Sequence, residues 1–150
     1  MLFTGSFYTD AMPLSHHEAP DEPDSNVPIK CPKCGKMMAQ VLEAGVTVDR
    51  CRSCGGIWLD ALELDKVLVA KGAAKRIDQP GPVIESRAGQ KGGSLCPRDK
   101  SMLIRMADAK QPHVQYESCK VCGGAFLNSG ELRDLSQFSL IERLRYLMGR

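Results

Sequence analysis

Cys31-Pro-Lys-Cys34, followed after sixteen intervening residues (the first being Gly35) by Cys51-Arg-Ser-Cys54-Gly-Gly-Ile-Trp-Leu-Asp60, is the stretch that decides the fold. A Cys-x-x-Cys pair brings two sulfurs to one ion from a single tight turn, and two such turns complete a tetrahedron. The spacing lies in the roughly 15–20-residue window of a four-thiolate zinc site. Cys31, Cys34, Cys51 and Cys54 are therefore expected to hold a structural Zn2+.

Seven cysteines cannot all pair as disulfides within one chain, and six of them sit in Cys-x-x-Cys turns. Thiolate ligands in a reducing compartment account for both facts, which points to a cytoplasmic protein. Neither a secretory leader nor an apolar run of membrane-spanning length is expected. Only 5% of the 150 residues are aromatic, so metal is expected to substitute for a large core.

The formal charge of +2 divides unevenly. Residues 1–28 carry five acids and no Lys or Arg, leaving +7 on residues 29–150. Loss of the thiol protons to two bound zinc ions brings that body to about +4. A modest basic excess permits nucleic-acid contact without requiring it.

Residues 1–28, interrupted by Pro13, Pro20, Pro23 and Pro28, are expected to be a disordered acidic tail. His16-His17 in that tail is a weak metal signal. Residues 29–71 form the first metal module. Met37, Met38, Val41 and Leu42 suit one strand, Val46–Arg50 a second, and Glu43-Ala44-Gly45 the turn between them. Gly35, Gly55 and Gly56 free backbone amides to approach the sulfurs. Asp60 and Glu63 read as a capping box, with Leu64, Val67 and Leu68 on one helical face and Gly72 at its end. Trp58 is expected between hairpin and helix, with an exposed binding aromatic as the sharper alternative. Residues 72–95, with Gln79-Pro-Gly-Pro82 and Gly89, Gly92 and Gly93, read as a flexible basic linker.

At Cys96 the pattern begins again. Cys96-Pro-Arg-Asp99 aligns with Cys31-Pro-Lys-Cys34, and Cys119-Lys-Val-Cys122-Gly-Gly-Ala-Phe-Leu-Asn128 with residues 51–60. Phe126 stands where Trp58 stands, Asn128 where the N-cap Asp60 stands, and Glu131 where Glu63 stands. The second site then has Cys96, Cys119 and Cys122, with Asp99, His113 or water as fourth ligand. Asp99 is favoured, because zinc accepts carboxylate oxygen and His113 falls far along the hairpin. With a carboxylate, this site should release its ion first under acid or chelation. Residues 96–150 make the second module, with Arg105, Lys110 and His113 toward its hairpin tip. It ends in helices over about 129–137 and from Ser139, the latter amphipathic through Ile141, Leu144, Leu147 and Met148.

The Cys-Pro-x-Cys-Gly turn, the second Cys-x-x-Cys-Gly-Gly, the aromatic-Leu-Asp and the Glu-Leu resemble the transcription factor IIB-like zinc-ribbon family of small, mostly bacterial proteins. The resemblance covers about residues 31–69 and 96–135, and Asp99 departs from its four-Cys rule. It implies a small metal-stabilised α+β fold: two tandem zinc ribbons, each a pair of zinc knuckles and a short antiparallel hairpin, each followed by a helix.

No catalytic residues are recognisable, since neither a nucleophile–base constellation nor a phosphate loop appears. The expected function is a non-enzymatic zinc protein contacting nucleic acid or the transcription apparatus. The alternative is a protein–protein adaptor docking through the ribbons and residues 139–150. Iron in the four-Cys site or a thiol switch would make a third class.

Overall fold

The computed structural model describes residues 26–80 and 93–137. The acidic tail with His16-His17, most of the linker, and the segment from Ser139 lie outside the described residues.

Each half begins with a hairpin. In the first, β1 (Ala39–Glu43) pairs antiparallel with β2 (Val46–Arg50), Glu43 facing Val46. The two-residue turn has φ 53° at Ala44 and 77° at Gly45, both positive, as the turns that match strand twist require. After the second knuckle comes a strand absent from the sequence reading, β3 (Ile57–Leu59), pairing with β2. In the second half, β4 (Ile104–Ala107), β5 (Gln115–Ser118) and β6 (Ala125–Leu127) repeat this order.

The two halves do not stand apart. β3 pairs antiparallel with β6, Trp58 opposite Phe126, and a single six-stranded sheet results in the order β1-β2-β3-β6-β5-β4. Composition explains the join. Ile57-Trp58-Leu59 and Ala125-Phe126-Leu127 are apolar on both faces, and all six residues are buried. Such a run suits the centre of a sheet, not an edge.

Alternation sorts these side chains into two cores. On one face Ile57, Leu59, Ala125 and Leu127 pack with Val46, Val48, Val67, Ala74, Ile77, Leu132 and Leu135. On the other, Trp58 and Phe126 pack with Met38, Leu103 and the cysteines of both halves.

The first helical face is as expected: α1 (Glu63–Val69) buries Val67 and packs Leu64 and Leu68 on the core. Its start is not. Leu62, at φ 68°, occupies the N-cap position and makes no side-chain cap. Only half the capping box forms, the Asp60 amide donating to Glu63 Oε2 at 2.7 Å. Asn128 likewise donates through its amide to Glu131 Oε2 at 2.7 Å, ahead of helical residues 131–137. The Asn128 Nδ2 adds a longer bond to Glu131 Oε2 at 3.4 Å, while the Asp60 carboxylate and the Asn128 Oδ1 are spent elsewhere, as described below.

The linker reading is corrected at its start. Residues Ala73–Ile77 form α2, with Ala73, Ala74 and Ile77 buried. Gly72 therefore separates two helices, at φ 74°. Asp78, fully buried at the end of α2, accepts hydrogen bonds from the Gly130 amide (2.9 Å) and the Arg133 amide (3.0 Å). A carboxylate from the first half thus caps the helix of the second.

Candidate metal centres

Four short turns of one geometry carry the candidate ligands. In the first, the Gly35 amide donates to Cys31 O at 2.9 Å and the Cys31 amide to Lys36 O at 2.8 Å. Cys51–Gly56, Cys96–Ser101 and Cys119–Gly124 repeat both bonds at 2.7–3.0 Å. The fifth residue takes the left-handed region each time: Gly35 (75°), Gly55 (74°), Gly123 (75°), and Lys100 (66°). Asp99 therefore sits in an intact knuckle despite losing the thiol.

In the first cluster Cys31 Sγ lies 3.5 Å from Cys54 Sγ and Cys34 Sγ 3.4 Å from Cys51 Sγ. All four sulfurs fall within 4.8 Å of one another. A zinc–sulfur bond of about 2.3 Å gives a tetrahedron with edges near ~3.8 Å, so the spacing fits an ion at the centre. It is far beyond the ~2.05 Å of a disulfide, and all seven cysteines are free thiols.

The second cluster assembles Cys96, Asp99, Cys119 and Cys122, again within 4.8 Å. Cys96 and Cys122 sulfurs are 3.6 Å apart, and Cys119 Sγ donates to Asp99 Oδ2 at 3.2 Å. His113 is exposed in the β4–β5 connection and does not join the group. Ser101, which sequence reasoning did not single out, orients the carboxylate. Its amide (2.8 Å) and its hydroxyl both donate to Asp99 Oδ1, and the hydroxyl also lies 3.1 Å from Cys119 Sγ.

The donor chemistry suits a dication. Burial pushes the thiols of Cys31, Cys54 and Cys96 above their ordinary range and Cys122 to about 12. Burial acts the same way on Cys51 and Cys119, but amide and side-chain hydrogen bonds outweigh it and lower both. Thiols so placed ionise together only when a positive ion compensates them. Asp99 differs: hydrogen bonds from Ser101 hold its carboxyl down at about 2.

Each cluster is tied to the other half of the chain. Lys33, inside the Cys31 knuckle, donates to Asn128 Oδ1 at 2.9 Å. At the matching position Arg98 grips Asp60 with both ends of its fork, Nε to Oδ1 at 3.0 Å and Nη2 to Oδ2 at 2.7 Å. It also reaches Asp49 Oδ2 at 3.2 Å and Val27 O at 2.7 Å. Asp60 Oδ1 further accepts from Trp58 Nε1 at 2.8 Å. The guanidinium and both carboxylates are under a tenth exposed. Burial raises Asp49 to about 6, opposed by Arg98, and among the described residues its Oδ1 has no hydrogen-bond partner.

The aromatic rings exchange in the same sense. A Cβ at Gly56 would stand 2.3 Å from Phe126 Cζ, and one at Gly124 would stand 2.2 Å from Trp58 Cζ2. Each ring lies on the knuckle glycine of the other half. Trp58 is thus neither between its own hairpin and helix nor exposed.

Comparison with known proteins agrees with the first centre. Residues 30–70 match the profile of the family described as "Transcription factor zinc-finger". The chain is also 31% identical over 104 residues to transcription factor S of Sulfolobus acidocaldarius, spanning 62% of this chain and 91% of that protein. The chain belongs to the transcription-factor zinc-ribbon family. Among the described residues of this family member, no helix is long and apolar enough to cross a membrane. No solved structure matches it significantly. The family match covers the first repeat, and the second centre rests on the repeat in sequence and on the geometry of its knuckles.

Proposed function

We propose that this chain is a non-enzymatic cytoplasmic protein that holds two zinc ions. Cys31, Cys34, Cys51 and Cys54 would bind one, and Cys96, Asp99, Cys119 and Cys122 the other. The paired ribbons would then contact nucleic acid or a component of the transcription machinery. Zinc in both sites would supply structural cross-linking, with every coordination position taken by a protein ligand.

One observation carries the choice of contact. The four knuckle loops present Lys36, Arg52, Lys100 and Lys120 as exposed cations, and Asp99 is their one carboxylate. Trp58 and Phe126 are buried, which disfavours base stacking and favours contact with the phosphate backbone. Likeness to a protein named as a transcription factor supports the same reading.

A second reading, a protein adaptor, draws support from a specific feature. Met102, just ahead of the edge strand β4, and Ile104 and Met106 within it lie 38–62% exposed, an apolar strip of the kind that partners cover.

Binding of the zinc-loaded protein to random-sequence DNA and RNA across a salt series separates the two. Affinity that falls linearly on a log–log plot, and weakens when Lys36, Arg52, Lys100 and Lys120 become Glu, supports nucleic-acid contact. Absence of binding at low salt rejects it in favour of the adaptor.

A further inference from the structure

Both knuckles of the second centre hold the same pair of residues in the first half. From the Cys96 knuckle, Arg98 reaches across to grip Asp60. From the Cys119 knuckle, Gly124 lies beneath the ring of Trp58. Trp58 and Asp60 are joined in turn by the indole N–H at 2.8 Å. The second centre thus closes a ring through strand β3.

The reverse connection is weaker. The first centre reaches the second half through Phe126 on Gly56 and through one ammonium-to-amide bond, Lys33 to Asn128. Arg98, by contrast, is a buried guanidinium shared by two buried carboxylates. If its knuckle opened, Asp49 and Asp60 would be left buried with their shared cation gone, an arrangement that proteins tolerate poorly.

We propose that the second centre is a divalent-metal-responsive latch. Its occupancy sets the position of Arg98, Arg98 sets Asp60 and Trp58, and metal binding in one half is thereby coupled to order in the other. This rests on the reading that Cys96, Asp99, Cys119 and Cys122 hold an ion. The design suits response to falling metal supply. Asp99 is exposed and supplies a carboxylate where the first centre has a thiolate, so the latch lets go while the first centre stays loaded. Arg98 and Asp60 act as positioning residues here, and neither touches the ion.

Coupling of this kind is reciprocal, so a change at Asp60 must weaken a metal site whose ligands all lie in the other half. The test is stepwise withdrawal of Zn2+ from the full-length protein by a chromogenic chelator, comparing wild type with Asp60→Asn. The expected result is an ion held about tenfold or more weakly at the second centre of the variant. Equal second-site affinity in the two proteins overturns the latch. A wild type that binds one zinc overturns the assignment of the second centre itself, a different failure.

Should Asp60→Asn fold poorly, the wild type supplies its own reporter, since Trp58 is the single tryptophan. Its emission should move to the red as the second ion leaves and before the first does. Emission that changes only with loss of the first ion contradicts the proposal. Trp58→Phe, which keeps a ring over Gly124 but removes the N–H donor to Asp60, should give a smaller loss of second-site affinity than Asp60→Asn.

Discussion

Trp58 and Phe126 face each other across the β3–β6 pairing, and each ring covers a glycine in the other half's knuckle. This exchange makes the two repeats one unit. A side chain at either glycine would have to displace an aromatic ring from a core shared by both cysteine clusters. Gly124→Ala is expected to destabilise the zinc-loaded protein by about 1–3 kcal/mol, the usual cost of overpacking. Thermal unfolding measures it, and Trp58→Leu in the same chain should recover part of the loss.

Lys100 occupies the backbone position that glycine fills in the other three knuckles, at φ 66°. A non-glycine residue there costs about 1–2 kcal/mol, partly offset in glycine by its larger unfolded-state entropy. Lys100→Gly should therefore stabilise the loaded protein by about 0.5–1 kcal/mol, readable as a rise in Tm. A fall in Tm would show that the chain holds this turn without strain.

Asp78 joins the halves on the opposite face, accepting the Gly130 and Arg133 amides from a fully buried position. Asp78→Ala removes both acceptors at once. A loss of about 1–2 kcal/mol is expected, as for other capping carboxylates. Hydrogen exchange should place the fastest-opening amides at the start of helical residues 131–137.

The two centres should differ in their proton count. Cys31, Cys54, Cys96 and Cys122 are raised by burial, so in the metal-free fold they hold their protons above the ordinary thiol range. Metal binding must expel those protons, and affinity therefore rises with pH. Asp99, at about 2, is already ionised and contributes nothing to that slope. Calorimetry in buffers of different ionisation heat should find more protons released on metal binding at the first centre, with four thiol ligands, than at the second, with three. Chelation at neutral pH should nevertheless empty the second centre first.

Much of this was legible in the residues. Cysteine spacing and the internal repeat marked the two groups of side chains that the fold brings together, and the turn at Ala44-Gly45 marked the first hairpin. What stayed hidden was contact between the halves. Asp60 reads as an N-cap because local spacing to Glu63 says so, yet its side chain answers Arg98, thirty-eight residues away. Lys33 and Arg98, aligned inside equivalent knuckles and opposite Asn128 and Asp60, were the available sign of a reciprocal interface. α2 was missed for a related reason. The five residues of α2, Ala73–Ile77, carry too little periodicity to predict a helix, and burial of Ala73, Ala74 and Ile77 decides it.

The joining of the two halves through β3 and β6 is directly observable in solution. Nuclear Overhauser contacts of the Trp58 indole in the zinc-loaded full-length protein test it in one spectrum. Cross-peaks from the Trp58 ring to the Gly124 α-protons and the Phe126 ring are expected. A Trp58 indole that contacts only residues of its own half would contradict the joining.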